Sequence, residues 1–163
     1  MGMPVKHWSL WGSFNIEAHA PISQEDFIVL CNESLMFMDI KPHLFAEYIL
    51  KDLREHGYYV LIVTAREGFV NNAYDMTKEY LSMHNFEYDN LLISKSGGNK
   101  MEVLGDYDLI EFSLDDQVHN CDIFAASGKI NKVLLAAEAH NKNCTVYPRL
   151  HNLYQVYNYI GLN

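Results

Sequence analysis

Three short stretches carry side chains that could act together on a phosphate. The first is Thr64-Ala65-Arg66, which closes the apolar run Val60-Leu61-Ile62-Val63 with a hydroxyl and a guanidinium. The second is Lys100, set behind the glycines of "KSGGNK" and ahead of "MEVL". The third is the acidic pair Asp115-Asp116 in "FSLDDQVHN". A threonine hydroxyl and free backbone N–H groups, where a strand feeds a helix, can cradle a phosphate, and Arg66 can hold the loop or add positive charge. A lysine at a helix start can neutralise a phosphoryl group. Adjacent carboxylates repel each other, and a divalent cation such as Mg²⁺ is the common resolution. Taken singly, each stretch is ordinary turn or capping chemistry. Their shared position, each directly after an apolar run, is what points to one site.

For these groups to meet, the apolar runs must be neighbouring strands. Residues 58–63, 90–94, 109–114 and 132–137 read as strands, and helical patterns fall at about 24–38, 43–56, 72–85, 117–127 and 149–160. The alternation predicts an α/β fold, a Rossmann-like three-layer arrangement around a mainly parallel sheet. In such sheets ligands bind beyond the carboxyl ends of the strands, where all three stretches lie. Ser23 ahead of Gln24, Glu25 and Asp26 reads as an N-cap with acids at the positive end of a helix, and His56-Gly57 as a glycine stop. There is no internal repeat or Pro/Gly-rich linker, so residues 1–163 read as one domain.

Composition narrows the function classes. A chain of 163 residues that is 49% hydrophobic has material for a sizeable core. Its 12 basic and 21 acidic residues give a net charge of -9, which disfavours binding to nucleic acid. No apolar run reaches membrane-span length, and "MGMPVKHWSLW" lacks a signal-peptide layout, so the expectation is a cytoplasmic protein with no membrane contact. Cys31, Cys121 and Cys144 form no CxxC pair and read as small core residues. The 8 histidines show no HxH or HExxH spacing, which leaves them surface or capping roles. Trp8, Trp11 and Phe14 could stack a base but read first as a buried aromatic patch. Tyr147, Tyr154, Tyr157 and Tyr159 mark a C-terminal helix packed on one side, or a dimer face.

Over about residues 22–140 the chain resembles the haloacid dehalogenase superfamily, and within it the small 5'-nucleotidase-like phosphatases. Thr64-Ala65-Arg66 matches the family's second motif. Lys100 matches its third, with Lys95 as runner-up, and Asp115-Asp116 its fourth. The resemblance implies a small helical cap over about 15–42 and a core over 43–163. It also implies a small phosphorylated ligand such as a nucleotide, held by Thr64, Ala65, Arg66 and Lys100. Mg²⁺ would lie on Asp115 and Asp116, with Asp115 and Lys100 as the catalytic pair.

The first motif of that family, Asp-x-Asp, occurs nowhere in the chain. Three registers account for this. "VKHWSLWGSF" can stand in its place, putting Ser9 and Trp11 where the aspartates would be. "FIVLCNESL" can be the strand, with Cys31 and Glu33 there. Or the strand is missing, and a homo-oligomer or partner chain completes the sheet. In each case the nucleophilic carboxylate is absent, so the expected activity is impaired. An active Mg²⁺-dependent phosphomonoesterase with another nucleophile, and a protein-interaction module, are the alternatives.

Overall fold

The computed structural model describes residues 16–33, 37–95 and 99–162. In chain order these form α1 (Gln24–Glu33), α2 (Ala46–Glu55), β1 (Leu61–Glu67), α3 (Ala73–Met83), β2 (Asn90–Lys95), β3 (Ile110–Asp115), α4 (Val118–Ala126), β4 (Ile130–Ala136), β5 (Arg149–Leu150) and α5 (Tyr157–Ile160). The fold is α/β, with every strand pairing parallel, in two small sheets: β1 with β2, and β3, β4 and β5 side by side. No described helix is long and apolar enough to cross a membrane.

Local chemistry explains where the elements begin. Ser23 Oγ accepts the Asp26 N–H at 3.1 Å and donates to the Asp26 carboxylate at 2.7 Å, which starts α1 as a capped helix. "FIVLC" is therefore helical, and the register that made it a strand is overturned: Cys31 sits buried on α1 against Val70 and Ala73. At the end of α2, Gly57 takes φ 86° and lets the Tyr58 N–H reach back to the Leu53 carbonyl. That closure uses Tyr58, so β1 begins at Leu61, later than expected, and runs on through Thr64-Ala65-Arg66 instead of stopping before them. A bulge interrupts its register between Thr64 and Glu67.

The expected helix over 149–160 is also corrected. Leu135 and Ala137 N–H groups bond to the Pro148 and Leu150 carbonyls, so Arg149–Leu150 becomes a short edge strand and helical turns follow only from Leu153. Tyr157 and Tyr159 pack against the core, Tyr157 OH donates to Asp52 at 2.6 Å, and Tyr154 stays exposed. The register through Ser9 and Trp11, like Trp8 and Phe14, lies outside the described residues.

Side chains cover both faces of the strands. On one face Ile49 and Leu53 of α2 and Ile160 of α5 pack with Ile62, Phe112, Leu114 and Leu134. On the other, Leu104 and Phe124 pack with Leu61, Val63, Ile110 and Val133. Leu134 is 1% exposed, so truncating it to alanine should cost about 2–5 kcal/mol. Among the described residues β1 has β2 as its only partner strand, and β3 has only β4. A cavity of about 510 Å³ separates β1 from β3.

Candidate functional site

Asp115 is the last residue of β3, and its side chain is 4% exposed. Its two oxygens are fully engaged. Oδ1 accepts the Gln117 N–H at 2.9 Å and Asn120 Nδ2 at 3.0 Å, while Oδ2 faces Lys100 Nζ at 2.6 Å. Lys100 comes from a short helical turn, Lys100–Glu102, which Asn99 starts by accepting the Met101 N–H at 2.8 Å. That turn packs against β1. Lys100 and Asp115 thus meet at the head of the cavity, which Val63 of β1 also lines.

Asp116 points into a second set of contacts. Its Oδ2 lies 3.4 Å from His140 Nε2, and its carbonyl oxygen accepts Asn141 Nδ2 at 2.7 Å. Burial, with the Asp115 charge next to it, pushes the Asp116 carboxyl above the usual carboxylate range. Asn141 is itself buried and ties the ends of three strands together. Its Nδ2 also donates to the Ala136 carbonyl at 2.7 Å, and its Oδ1 accepts the Glu138 N–H at 3.0 Å and Arg149 Nη2 at 3.0 Å.

The remaining expected residues are placed differently. Thr64 and Ala65 are half-buried within β1, and Thr64 stands opposite Ile93 of β2. Arg66 turns toward α3: its guanidinium donates to Thr77 Oγ1 at 3.3 Å and lies 4.9 Å from the Phe37 ring and 5.6 Å from the Tyr80 ring. Burial there lowers its pKa, and it does not line the cavity. Lys95 ends β2 exposed, opposite Glu67. Cys121 lies buried behind the site, where burial and the Asp115 charge push its thiol up to about 12, leaving it an inert core residue.

The structure therefore brings Lys100, Asp115 and Asp116 together with Asn120, His140 and Asn141, and sends Arg66 elsewhere. His140 and Asn141 follow a strand, in "AAEAHNKN", and their position after β4 was the one sequence signal that could have found them. Among the described residues no group of three His, Cys, Asp or Glu side chains is placed to hold a metal ion. Both Asp115 oxygens are already bonded, to Lys100, Gln117 and Asn120, so among the described residues this donor set does not fit Mg²⁺, which takes six oxygens in near-octahedral array.

A parallel α/β scaffold with a charged cluster at the carboxyl ends of its strands is a ligand-binding architecture common to many enzyme and binding families. No protein-family model matches the chain, and no curated protein matches it either.

Proposed function

We propose that this chain binds a small phosphorylated ligand, a nucleotide or a similar phosphomonoester, on a scaffold of the haloacid dehalogenase type that has lost covalent catalysis. Lys100 carries the reading. Its ammonium is 13% exposed at the head of the cavity and bonded to Asp115 at the end of β3. An ammonium has three N–H donors, and one serves Asp115, so the group is oriented but not consumed. The Thr64 hydroxyl on β1 is the second phosphate contact in this reading. The chain around α1 plays the cap, joined to the turn after β1 by Asn32, which donates to the Phe69 carbonyl at 2.9 Å and accepts the Asn71 N–H at 2.8 Å.

Binding proceeds without a metal, because Lys100 already neutralises Asp115. His140 stands beside the second carboxylate, its Nε2 3.4 Å from Asp116 Oδ2. The test is thermal: inorganic phosphate or a deoxynucleoside monophosphate should raise the melting temperature in the absence of Mg²⁺. Lys100→Ala should remove that shift. A shift that survives Lys100→Ala would exclude Lys100 as the phosphate ligand and leave Lys95 as the candidate.

A second reading, a protein-interaction module on the same scaffold, draws support from one patch. Leu44 is 72% exposed, Phe45 54% and Tyr48 58% at the start of α2, and Phe45 adopts φ 67°, unusual for a residue with a side chain.

A further inference from the structure

We propose that the outer face of α2 is a homodimer contact, in which two copies of this chain pack α2 antiparallel across a two-fold axis beside Tyr48. This rests on the interaction-module reading and names its partner. Ala46, Ile49 and Leu53 are the buried positions of α2, and they supply the apolar stripe that the core requires. Apolar residues continue on the opposite side. Leu44 and Tyr48 stand there one turn apart, both exposed, where a helix that only covered a core would carry polar groups.

The C-terminal tyrosines extend that surface. Tyr157 OH donates to Asp52, one turn beyond Tyr48, and its ring centroid lies 5.1 Å from that of the exposed Tyr154. Tyr157 is also within electrostatic reach of both Tyr48 and Tyr154, so one aromatic surface runs from α2 onto the turn that follows β5. Such amphipathic rings suit a contact that alternates between water and a partner.

Charge selects the partner. Glu47 and Lys51 flank Tyr48, exposed, one turn apart and of opposite sign. Lys51 Nζ is 3.9 Å from Glu55 in a loose surface pair, so its ammonium can turn outward. An antiparallel copy centred over residue 49 places each Glu47 opposite the partner's Lys51, twice by symmetry, with the two Tyr48 rings between them. The same register sets Glu55 against His43 and Asp52 against Ala46, so no like charges meet along α2. A protein of other sequence would have to supply the complementary pattern, whereas a second copy carries it already. With 10 residues α2 is about 15 Å long, which makes this a small, reversible interface with a Kd on the order of 10 µM.

Sedimentation velocity on the full chain, with tyrosine footprinting by mass spectrometry at the same concentrations, tests this. Between about 1 and about 200 µM the chain should pass from monomer to dimer, and Tyr48 and Tyr154 should lose reactivity by roughly threefold or more, while Tyr74 on α3 keeps its own. Glu47→Lys or Lys51→Glu alone sets like charges face to face and should weaken the dimer about tenfold, and the two together should restore it to within about threefold. A chain that stays monomeric with Tyr48 reactive overturns the dimer but leaves the interaction-module reading standing, because the surface is then open to another protein. A monomer with Tyr48 protected at every concentration overturns both, since another part of the chain covers the patch. A dimer in which Tyr48 stays reactive, or one that the double reversal does not restore, overturns the α2 contact.

Discussion

Lys100 Nζ lies 2.6 Å from Asp115 Oδ2, and the two side chains are 13% and 4% exposed. The pair joins a turn that packs on β1 to the last residue of β3, so it fastens the two sheets at the end where the candidate site lies.

Removing one member should therefore hurt more than removing both. Lys100→Met leaves a buried carboxylate without its counter-charge, at a cost of roughly 3 kcal/mol, moderated by the Gln117 and Asn120 bonds that remain. Lys100→Met combined with Asp115→Asn should recover more than half of that loss. Urea denaturation of the two single variants and the double variant measures the coupling directly. Additive losses would show that the contact is not a functioning ion pair.

Catalysis should be negligible. Purified protein, with or without Mg²⁺, should show no turnover of generic phosphomonoesters or deoxynucleoside monophosphates above background, because no aspartate nucleophile motif exists in the chain. Steady-state phosphate release is the measurement. Robust hydrolysis that disappears in Asp115→Asn would reverse the conclusion and restore the enzyme reading.

Asn141 should be the most sensitive neutral residue near the site. It is 3% exposed, and its amide satisfies the Asp116 and Ala136 carbonyls while its oxygen accepts the Glu138 N–H. Asn141→Ala strands those groups and should cost roughly 3 kcal/mol. Asn141→Asp keeps the shape but cannot donate, and should lose at least as much by equilibrium unfolding at neutral pH. A loss under 1 kcal/mol in both would mean that water replaces the amide, an outcome rare for buried backbone groups.

Acid should dismantle the joint between α2 and β2. Arg54 donates to Asp89 at 2.9 Å, and Asp89 in turn accepts the Val60 N–H at 2.8 Å, which holds the Asp89 carboxyl below its ordinary value of 3.8. A depressed carboxyl contributes stability that is complete well above that ordinary value and is lost as pH falls through the lower folded value. Asp89→Asn should thus be destabilised relative to the unaltered chain at pH 7, with the difference shrinking toward acid. Stability curves of the two proteins against pH would refute this if the gap stayed constant down to the lowest pH at which both fold.

The helices whose caps are written in the sequence fell where their signals put them. Ser23 and Gly57 act as expected because capping depends on neighbours in the chain. The start of β1 was misplaced because the Tyr58 N–H is spent closing α2, and the Arg149–Leu150 strand was missed because its bonds come from Leu135 and Ala137, far away in sequence. The same contrast holds at the site. Lys100, Asp115 and Asp116 were legible as charged residues after apolar runs; Lys100 and Asp115 do meet, while Asp116 turns to His140. The orientation of Arg66 was not legible, since it is decided by Phe37, Thr77 and Tyr80, contributed by other parts of the chain. Asn141 was overlooked for a similar reason: beyond its place after a strand, an asparagine acquires its role only from the carbonyls it meets.

The division of the strands into two sheets does not divide the core. β1, α3 and β2 form one unit, and β3, α4, β4 and β5 another. Among the described residues both units contribute side chains to the same apolar clusters: Ile62 and Phe112 pack against the one that holds Ile49 and Leu53, and Leu61, Val63 and Ile110 against the one that holds Leu104 and Phe124. A cavity opened in either cluster by truncating one side chain should therefore loosen side chains of both units, since each loses contacts with the atoms removed.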